Sequence, residues 1–262
     1  MPTQAGGEMR QAATVVLLKQ VPSTPAQIEV LLLERPAGAA FAPGTQVFPG
    51  GSVDYSDRDP RWGDLVEGWS DSEVDPRTPL WIRITAIRET YEETGVLLAL
   101  RADGSPCTPE DLSHLEPMRR GLRTGDGRTF RAGLAARGLL PDVRALVFCA
   151  HWITPAGLPR RFDTRFFLAV LPEGQEPAPD PMGEHTGLRW AIPGVALEEA
   201  SQGLCQLLPP TRAVLGLVAS ARGVADLLAG GAEGSIQTIE PRLEDVNQDH
   251  FPGLDVDRVL GR

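Results

Sequence analysis

From Leu80 to Gly95 the sequence specifies one helix with two faces that need different surroundings. Leu80, Ile84, Ile87 and Tyr91 recur at helical spacing and make an apolar stripe that must face a core. Glu89, Glu92 and Glu93 fall within an arc of roughly 100° on another face. Thr78-Pro79 reads as the helix start, with Thr78 as N-cap and Pro79 at the first helical position. Gly95 suits the residue just past the end. Carboxylates spaced i, i+3 and i+4 repel one another, so the arrangement costs stability unless something offsets it. A divalent cation does so. Oxygen-only ligands on a fixed helix suit Mg²⁺ or Mn²⁺ better than zinc. Arg88, four residues before Glu92, can orient a carboxylate by a bidentate contact. The same spacing also describes a solvated, glutamate-rich surface, so the rest of the chain has to decide.

Around this helix, Ala12 to Leu18 and Ile28 to Leu33 read as buried strands, followed by the Gly- and Pro-rich stretch Phe41 to Gly51. Residues 54–79 show no periodicity and read as a long loop of the kind that is functional or inserted. Residues 101–142 are polar with weak helical patterns. Strand-like runs follow at Val143 to Ile153, Arg161 to Leu171 and Leu188 to Ile192. Helices are expected at 194–204 and 210–229, the second apolar nearly all round and suited to burial or to a homodimer interface. The tail from Ser235 is irregular, with strand-like pieces. Helices interleaved with strands, without regular βαβ spacing, predict an α+β fold with a mixed sheet.

Composition removes several function classes. A formal charge of -10 argues against a nucleic-acid or membrane-surface binder, since both need basic patches. It does not argue against a small nucleotide-type substrate, whose diphosphate a bound cation can screen. Cys107, Cys149 and Cys205 lie far apart without zinc or disulfide spacing, which predicts a reducing compartment. With no signal-peptide pattern near the start and no apolar run of membrane-spanning length, the expected location is cytoplasmic. Lys19 is the single lysine against two dozen arginines, a bias typical of a GC-rich bacterial genome.

The run Arg88-Glu89-Thr90-Tyr91-Glu92-Glu93-Thr94-Gly95-Val96 resembles the second half of the Nudix box, with every charged position and the glycine matched. Thr90 stands where an aliphatic residue is commoner. Phe48-Pro49-Gly50-Gly51 supplies the first-half glycines, and Asp57 lies six residues beyond Gly51. The interval from Gly51 to Arg88 is longer than the family's usual one, which places an insertion at about 58–80 and leaves Asp57 without an assigned role. A box split in this way resembles the coenzyme A diphosphatase-like branch of the Nudix superfamily. Phe41-Ala42-Pro43-Gly44, Val47-Phe48, Trp152-Ile153-Thr154-Pro155, Arg160-Arg161-Phe162-Asp163-Thr164-Arg165-Phe166-Phe167 and Leu208-Pro209-Pro210-Thr211 match that branch in the same order. The resemblance implies a Nudix-type α/β/α sandwich in one domain over 1–262, with insertions at about 58–80 and 101–142 and a helical C-terminal extension from about 205.

The resemblance also implies roles. Glu92 and Glu93 are expected as principal ligands of Mg²⁺ or Mn²⁺, Glu89 as ligand or base, and the carbonyl of Gly51 or Gly50 as a further ligand. Arg88 orients the carboxylates, and Glu184, six residues before Trp190, is a loop base. Arg35, Arg160, Arg161 and Arg165 are candidates for phosphate contact; Arg161 and Arg165, inside the matching segment, are the better ones, and Arg160 and Arg35 read rather as surface residues. Asp163 is expected in a structural ion pair with a neighbouring arginine, His151 as a satisfied core histidine, and His185 as a lesser candidate for substrate contact. The implied reaction is hydrolysis of coenzyme A or acyl-CoA to 3′,5′-ADP and (acyl-)4′-phosphopantetheine. Cleavage of ADP-ribose, NADH or another dinucleotide is the alternative. A Nudix-fold sensor without turnover is a third reading, disfavoured because all three box glutamates are present.

Overall fold

The computed structural model describes residues 8–242 apart from 22–23, 25–26, 39–43, 67–68, 71, 73–74, 123–125, 180–184 and 234–235. Its sheet is organised by β1 (Met9–Gln20), whose apolar run is buried on both faces. A strand of that kind requires cover above and below. β1 pairs in parallel with β8 (Arg161–Val170) along its whole register, from Met9↔Arg161 to Leu18↔Val170. On the other side its length serves two partners, β4 (Gly50–Ser52) at Ala12–Thr14 and β2 (Ile28–Glu34) at Leu18–Gln20. With β3 (Thr45–Val47), β7 (Val147–Ile153), β9 (Gly187–Ala191), β10 (Gln206–Leu207) and β11 (Thr238–Ile239), the result is a mixed nine-stranded sheet.

Ala13, Val15, Leu17 and Phe167 face α1 (Leu80–Thr94), which lays Ile82, Ile84, Ile87 and Tyr91 against them. Val16, Leu18, Leu32, Phe166 and Leu168 face the opposite layer. That layer is α4 (Pro193–Ser201), α5 (Pro209–Ala219) and α6 (Val224–Glu233). The α/β/α sandwich anticipated from the sequence is therefore present.

The details differ where tertiary contacts override local signals. Pro79, not Thr78, occupies the N-cap of α1. Thr78 is buried and engaged elsewhere: its hydroxyl donates to the Asp75 carbonyl at 3.1 Å and accepts from Arg83 Nη2 at 3.3 Å. Gly95 ends the helix as expected, at φ 74°. Within the 54–79 loop lie the 3-10 turns Tyr55–Arg58, capped by Asp54, and Pro60–Leu65, capped by Asp59. Residues 101–142 form α2 (Pro109–Leu122) and α3 (Arg128–Ala136), flanked by the paired β5 (Ala99–Arg101) and β6 (Leu139–Pro141). Phe130 of α3 stacks on Tyr91 of α1, with ring centroids 6.2 Å apart, and meets Trp62 at 5.7 Å, so both segments pack onto the α1 layer. The strand read from Val143 begins at Val147, after a 3-10 turn. The helix read as 210–229 breaks into α5 and α6, bent by 117°. Val214, Leu215, Leu217, Val218 and Leu227 of this pair are buried against the sheet. Among the described residues no single helix is long and apolar enough to cross a membrane.

Candidate active site

Two glycines bring α1 against the sheet edge. A Cβ on Gly50 would lie 2.4 Å from the Ala13 carbonyl oxygen and 2.7 Å from Thr14 Cα, so β4 can pair this tightly with β1 only without a side chain there. A Cβ on Gly51 would lie 2.5 Å from the Glu89 carboxylate. The space a side chain would fill is occupied by that carboxylate. Gly50 N–H donates to Glu93 Oε2 at 2.8 Å, which fixes a second carboxylate on the same strand.

Arg88 orders the cluster. Its Nε donates to Asp57 Oδ1 and its Nη2 to Asp57 Oδ2, each at 2.8 Å. Nη2 also donates to the Ser52 carbonyl at 3.1 Å. Nη1 donates to Glu89 Oε1 at 2.9 Å and lies 3.5 Å from Glu92 Oε2. Burial works against the guanidinium charge, but Glu89 and Asp57 more than offset it and hold the pKa above its ordinary value. Asp57 is 1% exposed and takes two further donors, the Thr85 hydroxyl at 2.8 Å and Asp54 N–H at 2.9 Å. It is thus the anchor of Arg88 and turned away from the open site. Thr90, the departure from the aliphatic pattern, is fully buried and satisfies its hydroxyl on the Ala86 carbonyl at 2.8 Å.

The carboxylates themselves are crowded. Burial, followed by the opposing pull of Arg88 and the repulsion of Glu92, leaves Glu89 raised to about 7. Burial and the neighbouring Glu89 push Glu93 well above the usual carboxylate range, against the Gly50 N–H that favours its charge. Among the described residues no three His, Cys, Asp or Glu side chains close into a ready-made metal cage. Mg²⁺ does not need one, since it commonly uses one or two carboxylates plus water and substrate phosphate. Half-buried carboxylates crowded together and raised above their ordinary range are hard oxygen donors short of positive charge. That donor set fits a divalent cation.

These groups border a cavity of about 670 Å³. Arg35, Arg88, Glu89, Glu92 and Glu93 line it, together with Ala12 and Thr14 of β1 and Gly50 to Asp54. Thr154, Arg160, Phe162, Thr164 and Phe166 line it too, as do Leu208, Pro210 and Thr211 around the start of α5. Strand parity explains this set. Phe162, Thr164 and Phe166 share one face of β8, and the parallel register puts Thr164 beside Ala12 and Phe166 beside Thr14.

The same parity corrects two sequence assignments. Arg161 and Arg165 are turned to the other face of β8, away from the cavity. Arg161 pairs with Glu240 at 2.5 Å and donates to the Thr154 carbonyl; Arg165 pairs with Asp163 at 2.8 Å and donates to the Arg77 carbonyl. Arg160, read as a surface residue, is the arginine of this segment that reaches the cavity. The alternation of the segment carried that signal once the facing side was known. Asp163 and His151 behave as expected: His151 Nε2 meets Asp163 Oδ1 at 2.5 Å, and Nδ1 meets the Thr238 hydroxyl at 2.7 Å. Arg35 lines the cavity beside the glutamates. Glu184 lies outside the described residues. Its neighbour His185 places Nδ1 3.6 Å from Glu93 Oε1. Burial, then the Arg35 charge, lowers His185 to about 4, so it is neutral near pH 7. Asp57 and Thr211 are the site residues whose parts were not assigned from the sequence.

A family model described as the NUDT19 Nudix domain matches residues 70–213. The human protein named acyl-coenzyme A diphosphatase NUDT19 is 32% identical, with 77% of this chain and 66% of that protein covered. Its Xenopus laevis namesake is 28% identical, with 70% and 57% covered. The chain therefore spans 57% to 66% of the length of these relatives. Among solved structures, a NUDIX hydrolase from Alicyclobacillus acidocaldarius is similar with a TM-score of 0.69 and 29% identity, covering 85% of this chain and 96% of that one.

Proposed function

Because this chain belongs to the Nudix family, in the group of the NUDT19 Nudix domain, we propose that it is a Mg²⁺- or Mn²⁺-dependent diphosphatase acting on coenzyme A or acyl-CoA. The products are 3′,5′-ADP and (acyl-)4′-phosphopantetheine. One observation carries this reading: Glu89 and Glu93, half-buried on α1, meet the Gly50-Gly51 backbone of β4 at the edge of a cavity large enough for a nucleotide. The relatives named acyl-coenzyme A diphosphatase support the substrate.

Glu92 and Glu93 would hold the cation, with the Gly51 carbonyl as a further donor. A bound divalent cation supplies charge stabilisation at the phosphoryl oxygens. Arg88 keeps Glu89 in one rotamer by holding Oε1, which leaves Oε2 to accept a proton from the attacking water. A carboxyl near 7 is matched to that task at neutral pH. Glu184 is the second candidate base, on its sequence position six residues before Trp190. The phosphorus–oxygen bond of the diphosphate breaks as the water oxygen adds, and charge develops on oxygens rather than on carbon. Arg35, which lines the cavity with the glutamates, is placed to meet a diphosphate oxygen.

The test is a turnover panel with Mg²⁺ and with Mn²⁺ over CoA, acyl-CoAs, NADH, ADP-ribose and diadenosine polyphosphates. Highest kcat/KM on CoA or an acyl-CoA supports the proposal, and preference for ADP-ribose or NADH replaces the substrate. Absence of turnover on all of them, with tight nucleotide binding, favours a sensor. Loss of activity in Glu89→Gln with Glu184→Gln still active assigns the base to Glu89; the converse assigns it to Glu184.

A further inference from the structure

Glu92 and Glu93 sit where a helix holds its side chains least well: both belong to the last turn of α1, which ends at Thr94. Terminal turns fray, and the partial negative charge at a helix C-terminus disfavours anions there. α1 carries no basic residue of its own in that turn to offset this. The last carbonyls of the helix also need donors from outside it.

Both needs are met from distant parts of the chain. Arg119, on α2 of the 101–142 segment, is 6% exposed and donates from Nε to the Glu92 carbonyl at 3.0 Å. Its Nη2 donates to the Ala178 carbonyl, also at 3.0 Å. Ala178 N–H in turn donates to the Thr94 carbonyl at 2.8 Å. One guanidinium thus brings a cation to the end of α1 and ties its last turn to the connection between β8 and β9. Gln175 makes a second tie: Leu97 N–H donates to its Oε1 at 2.8 Å, and its Nε2 donates to the Leu97 carbonyl at 2.9 Å. The same connection carries Glu184 and arrives at His185, whose Nδ1 is 3.6 Å from Glu93. Gly95 makes the approach possible. A Cβ there would lie 2.9 Å from Arg119 Nη1, so the glycine that ends the helix at φ 74° also leaves room for the guanidinium.

We propose that Arg119 is a positioning residue for the cation site, fixing the last turn of α1, and with it Glu92 and Glu93, to the connection that leads to His185. Arg119 does not line the cavity and acts through the Glu92 backbone. The 101–142 segment thereby takes part in the reaction as a brace for the metal-binding helix. This rests on the reading that Glu92 and Glu93 hold the cation.

The experiment measures Mn²⁺ binding to the full chain by electron paramagnetic resonance in the wild type, Arg119→Gln, Arg119→Lys and Leu134→Ala. Leu134, fully buried on α3, is the control for stability lost in the same segment. Arg119→Gln is expected to bind Mn²⁺ about tenfold more weakly or worse, as when a partner behind a metal ligand is removed. Its Gly95 amide, which closes the last turn on the Tyr91 carbonyl, should exchange faster with solvent. Arg119→Lys keeps a cation at the helix end without the fork and should fall between the two. Leu134→Ala should melt earlier yet keep Mn²⁺ affinity within about twofold of the wild type. The Mg²⁺ concentration for half-maximal CoA turnover should follow the same order. Wild-type affinity in Arg119→Gln overturns the inference, and so does an equal loss in Leu134→Ala, which makes the effect one of stability alone. If Arg119→Gln does not fold, Arg119→Lys decides by the same criterion. A wild type that binds no Mn²⁺ overturns the metal reading itself, and the inference with it.

Discussion

The Arg88 guanidinium closes on Asp57 through two hydrogen bonds of 2.8 Å, although 31 residues and an insertion separate the two. Both partners are buried, and removing one leaves the other as an uncompensated charge. Asp57→Ala is expected to destabilise the fold by about 3–5 kcal/mol, and Asp57→Asn by less because it keeps an acceptor. Denaturant unfolding measures this. A loss below about 1 kcal/mol would show that the pair does not anchor α1.

Gly51→Ala tests how closely β4 approaches the glutamates. The added Cβ would sit 2.5 Å from the Glu89 carboxylate, a flexible group that can move aside, whereas on Gly50 it would strike backbone of β1. Gly51→Ala should therefore fold, with a far-ultraviolet circular dichroism spectrum like the parent, and lose about a hundredfold or more in kcat/KM through a misplaced carboxylate. Gly50→Ala should lower the melting temperature as well. Full activity in Gly51→Ala would remove Glu89 from the site.

Strand parity can be tested at Arg161, whose guanidinium pairs with Glu240 on the face of β8 opposite the cavity. Arg161→Gln is expected to leave KM within about twofold and to cost less than about 1 kcal/mol, as exposed ion pairs do. Steady-state kinetics and a thermal melt settle it. A tenfold rise in KM would return Arg161 to the substrate.

His185 should give the fold a pH dependence. Its pKa is lowered from 6.5 to about 4, so the folded state disfavours its protonation. The Glu93 carboxyl lies 3.6 Å away but is itself pushed toward neutrality, so it does not hold a charge against the ring. A depressed folded-state value means the contribution is full above pH 6.5, declines on acidification and is gone below about 4. It amounts to about 3 kcal/mol. Unfolding free energies of the metal-free protein at pH 7 and pH 4.5 should converge in His185→Asn relative to the parent. An unchanged difference between the two pH values would contradict the assignment.

What the sequence made legible was whatever local spacing dictates. Ile84, Ile87 and Tyr91 had to face a core, Glu89, Glu92 and Glu93 had to share another face, and Gly95 had to end the helix. Two-sided burial of β1 was written in its continuous apolar run. The illegible parts depend on pairing across the chain. Whether Arg160 or Arg161 lines the cavity turns on which face of β8 looks into it, and that follows from the register of β8 with β1. Asp57 lies on the near side of an insertion whose fold no periodicity announces. Thr78 looked like a helix cap, and its burial against Arg83 assigned it otherwise.

The central claim, that the carboxylates of α1 hold the cation for diphosphate cleavage, is tested most directly by following conversion of CoA to 3′,5′-ADP chromatographically. The wild type and Glu93→Gln are compared, each with Mg²⁺ and with chelator. Turnover by the wild type with Mg²⁺, loss of at least about a thousandfold in Glu93→Gln, and none for either protein with chelator is the expected result. Turnover by Glu93→Gln near the wild-type rate, or turnover by the wild type that persists with chelator, would contradict it.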